Sequence, residues 1–161
     1  MKERDLLAAE IRKNGFETTR QTYIRSYGSH ELDAALLILP VLDFEDDRSR
    51  VTGTIRAIRD ELEVDGGIIH RYRPGSDGLE GREGGFLPCS FWLAQALARS
   101  GQADEANALF QRLLQLANDV GLFAEEIDPV SSAQLGNFPQ AFTHAALIQA
   151  ALALENMQEI Q

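Results

Sequence analysis

The apolar residues of this chain recur at helical spacing, and that periodicity limits its fold more than any other feature. Val51, Ile55, Ile58 and Leu62 fall on one stripe of a helix, and Ala106, Leu109, Phe110, Leu113, Leu114 and Ala117 fall on another. The period-two alternation of a half-buried strand is almost absent. The spacing predicts helices over 2–14, 31–39, 48–63, 86–100, 103–118 and 139–156. In the first of these Leu6, Leu7, Ala9 and Ile11 supply the stripe. Gly15, Gly66-Gly67, Gly101 and Gly121 stand where helices stop. Pro88 and Pro139 stand near helix starts, where a missing N–H costs little. Asp43, Glu45, Asp46 and Asp47 precede the third helix, where negative charge suits the helix dipole.

Between the helices, Phe16–Ser29 reads as irregular, Ile68–Tyr72 as a short strand-like connection, and 73–85 as a long glycine-rich loop. Long loops in compact domains often carry function. The expectation is an all-α chain of about six helices in antiparallel pairs, forming a single domain over 1–161. Three segments, Leu36–Leu39, Phe91–Leu97 and Ala145–Leu154, are apolar on more than one side. Such helices are expected to be covered on more than one side.

Composition removes several functions. The net charge is −10, which opposes binding to nucleic acid or to an anionic membrane. No apolar run approaches the roughly 18 residues of a membrane span. The N-terminal residues form a mixed-charge amphipathic helix rather than a signal peptide. Cys89 is the single cysteine, so no internal disulfide can form, and a cytoplasmic address is the default. His30, His70 and His144 lack metal-ligand spacing, and no phosphate-binding or dinucleotide-binding glycine motif is present. No metal or cofactor is expected. Cys89 sits in a helix that reads as buried, and His144 reads as a satisfied helix residue.

The remaining chemistry concentrates in Val120–Gly136, V-G-L-F-A-E-E-I-D-P-V-S-S-A-Q-L-G. Two adjacent carboxylates, Glu125 and Glu126, stand between apolar shoulders, and Pro129 turns Asp128 away from helix. This reads as a loop with an acidic centre. A carboxylate so placed can serve as a general base, and it can equally be a solvated loop acid.

L-F-A-E-E-I-D-P followed by L-G-N-F-P-Q-A-F-T-H-A-A-L resembles the C-terminal end of glycoside hydrolase family 15, the family of glucoamylases, glucodextranases and some trehalases. S-Y-G-S-H-E-L-D-A-A-L-L-I-L-P at 26–40 and E-G-R-E-G-G-F-L-P-C-S-F-W-L at 80–93 are similar to it as well, in the same order. The resemblance implies the C-terminal half of an (α/α)6 toroid, an inner ring of helices within an outer one. It also implies an inverting glycosidase acting on α-glucosidic bonds. In such an enzyme a base carboxylate activates water on one face of the sugar and an acid carboxylate protonates the leaving oxygen on the other. The two stand about 6.5–9.5 Å apart.

Carried over residue by residue, the resemblance makes Glu125 the catalytic base. Glu126 beside it would repel a second negative charge and could raise the pKa of the base; from the residues alone it reads as a loop-surface acid. Arg71, with Tyr72 next to it, matches the arginine that holds sugar hydroxyls, and a guanidinium's fixed fork of donors suits adjacent hydroxyls. Arg73 is the alternative, and a plain surface arginine is the bland reading. Glu83 could accept from a sugar hydroxyl or cap the following helix. Glucoamylases tend to carry Asn-Pro-Trp where this chain has Gly84-Gly85-Phe86 after Glu83, a departure from a starch-type subsite. Phe86 and Trp92 could stack on a sugar, although aromatics at helical spacing are more often core.

The family's general acid lies in a Trp-Glu segment. The one tryptophan here, Trp92, has no adjacent carboxylate. The isolated chain is therefore expected to be a very poor catalyst that needs a complementary N-terminal chain or self-associates. The alternative reading is a non-catalytic helical interaction module or a remnant of the fold.

Overall fold

The computed structural model describes residues 2–75 and 83–158. Among them are five α-helices: α1 (Lys2–Asn14), α2 (Arg48–Leu62), α3 (Leu87–Arg99), α4 (Ala103–Leu114) and α5 (Ala141–Gln158). A 3-10 turn (Ala34–Ile38) and seven very short strands make up the rest of the regular structure: β1 (Phe16–Glu17), β2 (Thr22–Tyr23), β3 (Glu63–Asp65), β4 (Ile68–Ile69), β5 (Gly85–Phe86), β6 (Glu126–Ile127) and β7 (Gln134–Leu135). They pair antiparallel as β1-β2, β3-β4 and a three-stranded β5-β6-β7 sheet. The glycine-rich loop expected over 73–85 lies mostly, at 76–82, outside the described residues.

The fold centres on α3. Every residue from Leu87 to Ala98 is buried, because α5, α4, α2 and the Ala34–Ile38 turn pack around it. A helix apolar all round can sit only in such a place. Phe91 meets Phe110 and Phe123 edge-on, with ring centroids 6.1 and 5.6 Å apart. The two polar residues of α3 most deeply buried both have partners. Ser90 Oγ accepts from Ile69 N at 3.1 Å, and Gln95 Nε2 donates to Ala146 O at 3.1 Å. The expected stripes of α2 and α4 face this core: Val51, Ile55, Ile58 and Leu62 are buried, as are Ala106, Leu109, Phe110 and Leu113. Asp47 caps α2 by accepting from Ser49 N at 2.9 Å.

Four expectations need correction. The helix expected over 31–39 is only a 3-10 turn, Ala34–Ile38, closed in by the Asp33 cap before it and Pro40 after it. The apolar stripe of α1 is mostly uncovered: Leu6 and Leu7 are 57% and 56% exposed, and only Ile11 near its end is half-buried. Phe91–Leu97 is covered on all sides within this chain, so it needs no further helix. Lastly, the acidic stretch near Glu125 is not loop throughout: β6 and β7 lie within it.

Removing the Phe91 ring should cost about 3–5 kcal/mol, the usual loss for a buried aromatic cut to alanine. Denaturant unfolding of Phe91→Ala should show this, while Leu6→Ala should stay within about 0.5 kcal/mol of the parent. Similar losses at both positions would contradict the placement of α1.

Candidate active site

The β5-β6-β7 sheet places the two central glutamates. Phe86 pairs with Glu126 on one side, and Glu126 pairs with Leu135 on the other. Just before β6, Glu125 is held by its whole backbone: its N–H donates to Asn137 O at 3.0 Å and its carbonyl accepts from Leu87 N at 3.0 Å. The segment is also tied to the start of α5. Gln140 N donates to Phe123 O, and the buried Thr143 hydroxyl donates to Ala124 O, both at 2.9 Å. His144 is satisfied as expected: Nδ1 donates to Gln140 O at 2.7 Å, which leaves Nε2 to accept from Phe123 N at 3.4 Å.

The two side chains diverge, as adjacent residues of an extended strand do. Glu125 Oε2 accepts from Asn137 N at 3.1 Å and from Asn137 Nδ2 at 3.0 Å. Gly136 makes room for this: a Cβ there would stand 2.8 Å from that same oxygen, on a backbone with φ of +73°. Both donors converge on Oε2, and among the described residues no donor meets Oε1, which is left to a water. Glu126 points the other way, where its Oε2 accepts from Gly84 N at 3.3 Å. It is half-buried in a strand, which corrects the reading of it as a loop-surface acid. Burial pushes the Glu126 carboxyl above the usual range, and the charges of Glu83 and Glu125 add to that push, against the Gly84 N–H and His70. So the environment raises the pKa of the second glutamate of the pair.

Glu83 therefore lies close enough for its charge to act on Glu126, and His70, whose Nδ1 meets Gly84 O at 2.9 Å, closes the same corner. Gly85 lets β5 approach β4, since a Cβ would fall 1.9 Å from Ile68 Cγ2.

Arg71 and Tyr72 form a second group. Arg71 pairs with Asp33, and its guanidinium lies 5.2 Å from the Tyr72 ring centroid and 5.9 Å from that of Trp92. Burial works against its charge, but the Asp33 hydrogen bond and charge outweigh that and raise its pKa. Arg25 lies over the Tyr72 ring too, at 4.7 Å. Arg73, the alternative arginine, turns elsewhere and pairs with Glu61 of α2 at 3.2 Å. Trp92 is buried, so it acts as core rather than as an open stacking surface. It touches Phe142 at 5.4 Å, and Phe142 touches Phe86 at 6.4 Å. This aromatic row leads from the arginine to the sheet that carries the glutamates. Burial pushes the Cys89 thiol far up, which leaves no thiolate nucleophile. Among the described residues no group of His, Cys, Asp and Glu could hold a metal ion.

The sequence singles out none of Asp33, Gly136, Asn137 or Phe142. Only the G-N that follows Leu135 hints at the Glu125 clamp, as a turn signal.

Residues 1–152 match the family model described as "Glycosyl hydrolases family 15". The chain belongs to glycosyl hydrolase family 15. It is 44% identical over 158 residues to a trehalase of Mycobacterium tuberculosis, covering 96% of this chain and 23% of that protein. It is 41% identical over 152 residues to a trehalase of Thermoplasma volcanium, covering 94% of this chain and 24% of that protein. This family 15 chain thus spans about a quarter of the length of the curated relatives it matches. A solved wild-type glycosidase superposes with a TM-score of 0.77 at 22% identity, over 94% of this chain and 43% of the other. A glycosidase variant in complex with glucose gives 0.74 at 20% identity, with the same coverage. The all-α reading stands, and the fold is part of an (α/α)6 toroid. No helix among the described residues is long and apolar enough to cross a membrane.

Because the fold raises the Glu126 pKa, the native state holds its proton to higher pH than the unfolded chain does. Stability from this group is full below the unfolded value and is lost as pH rises through the folded one. Glu126→Gln should remove that loss. Thermal melts should show the variant gaining on the parent from acidic pH toward neutrality. A constant difference across pH would rule out the carboxyl as the cause.

Proposed function

We propose that this chain is the part of an inverting family 15 glycosidase that carries the general base, Glu125, and the sugar-binding arginine, Arg71. The observation that carries this reading is the Glu125 clamp. The backbone is fixed on both sides, and one carboxylate oxygen takes two N–H donors while the other is left for water. A base must be positioned before it can act on a water in line with the sugar. Tyr72, Glu83 and Glu126 are the further substrate contacts in this reading, joined to the arginine by the Trp92–Phe142–Phe86 row. The substrate is an α-glucoside, and trehalose is the first choice. The relatives named trehalase and the glycosidase named in complex with glucose support that choice. The general acid comes from sequence outside these 161 residues, because no Trp-Glu segment occurs within them. The single thiol suits a cytoplasmic enzyme.

The same reading makes the chain one domain that associates with the remaining helices of the toroid. α5 supports this. Thr143, Ala146, Ala150 and Leu154 face the core, while Phe142, Ile148 and Leu152 on the same helix are 47%, 56% and 53% exposed. Two apolar faces on one helix fit a position between two layers.

With the rest of the toroid present, Glu125→Gln should lower trehalose turnover at least ~10²-fold, the usual worth of a positioned base. Glu126→Gln should cost far less. Equal losses would assign the base wrongly within the pair. Made alone, the chain should self-associate in sedimentation and bind a hydrophobic dye. A dilute, stable monomer that binds no dye would favour a self-contained helical module.

A further inference from the structure

We propose that Asp33 is the positioning residue of Arg71, fixing the guanidinium so that its remaining donors face the sugar. This rests on the reading of Arg71 as a sugar contact. The two residues are 38 apart in sequence and meet through a forked pair: Arg71 Nε donates to Asp33 Oδ1 at 2.7 Å, and Nη2 donates to Oδ2 at 3.3 Å. Their backbones are joined as well, since Ala34 N donates to Arg71 O at 3.1 Å.

The carboxylate is held independently of the arginine. Asp33 Oδ1 also accepts from Ala35 N at 2.7 Å, capping the Ala34–Ile38 turn. It therefore cannot swing with the guanidinium and acts as a fixed reference for it. Half-buried Tyr72 and buried Trp92 stand beside the guanidinium, with ring centroids 5.2 and 5.9 Å away. A guanidinium has five N–H donors in a rigid fork. Asp33 takes the Nε donor and one on Nη2, which among the described residues leaves the Nη1 pair and the second Nη2 hydrogen. Those three are the donors that can span two neighbouring hydroxyls of a sugar ring. An unclamped arginine would have to lose its rotamer freedom when sugar binds, and affinity would fall accordingly.

The test uses the chain with the rest of the toroid present. Asp33→Asn keeps an acceptor for Ala35 N, so the cap and the fold are retained, while the charged fork is lost. Nitrogen–proton spectra of arginine side chains report on Arg71 Nε–H directly, with Arg71→Lys identifying its signal. Trehalose and glucose titrations give affinities for the parent, Asp33→Asn, Arg71→Lys and the double variant. Asp33→Asn should speed exchange of the Arg71 Nε–H at least about tenfold and weaken sugar binding about tenfold. In the Arg71→Lys background the same change should weaken binding little further, because Asp33 acts through the arginine. Unchanged exchange and affinity in Asp33→Asn would overturn the proposal. So would an equal, additive loss in the Arg71→Lys background, which a general structural defect would give. If the parent binds neither sugar, or Arg71→Lys binds as the parent does, the sugar-contact reading fails and the proposed role fails with it. The exchange data would then still report whether Asp33 holds the arginine.

Discussion

The burial of α3 on every side is the constraint that the rest of the chain obeys. Leu87 through Ala98 shows no polar face to water, so α2, α4, α5 and the Ala34–Ile38 turn must all reach it. The two polar side chains buried deepest in α3 bind the backbone of neighbouring elements, Ile69 and Ala146, so the helix is keyed in register as well as packed. Because α3 begins directly after β5, its position also sets where the small sheet lies. That sheet in turn decides where Glu125 and Glu126 stand. A site built this way is on the edge of the core rather than on a free loop, which suits chemistry that needs fixed geometry.

Helices were the most legible part of the sequence. The stripes of α2 and α4 face the core residue by residue as their spacing predicts. Periodicity, however, tells that a stripe exists and not what covers it. Leu6 and Leu7 of α1 have the pattern and stay more than half exposed. The run at 31–39 failed for a different reason. An Asx cap at Asp33 and a proline at 40 leave space for little more than a turn, whatever the apolar content between them.

The candidate site was legible where its residues carry a family pattern and illegible where it depends on pairing across the chain. Glu125 and Arg71 stand out through the resemblance. Asp33 lies 38 residues from Arg71, and Asn137 lies 12 from Glu125, so no local spacing connects either pair. Glu126 reads as a surface acid because adjacent acids in a non-helical stretch usually are. Only the strand pairing with Phe86 and Leu135 reveals it as half-buried. The glycines obey the same logic: Gly85 and Gly136 look like turn formers, yet what they provide is space for Ile68 and for the Glu125 carboxylate.

The turn between β6 and β7 acquires a meaning from this. Asp128 Oδ1 accepts from Val130 N and Ser131 N, and the Asp128 backbone bonds Ala133 and Ser132. The turn is thereby pinned at one length, and with it the alignment of the hairpin. Side chains on a strand alternate, so sliding by a single residue exchanges the two faces. Here a slide that brought Glu126 to the Asn137 clamp would bring Ile127, now buried, to the place beside Gly84 and leave Glu125 at neither. Two chemically identical acids are told apart solely by parity along the strand. Guarding that parity falls to a surface turn that touches neither carboxylate, so an insertion or deletion there that moved the register would take Glu125 off its clamp while leaving both glutamates in the sequence.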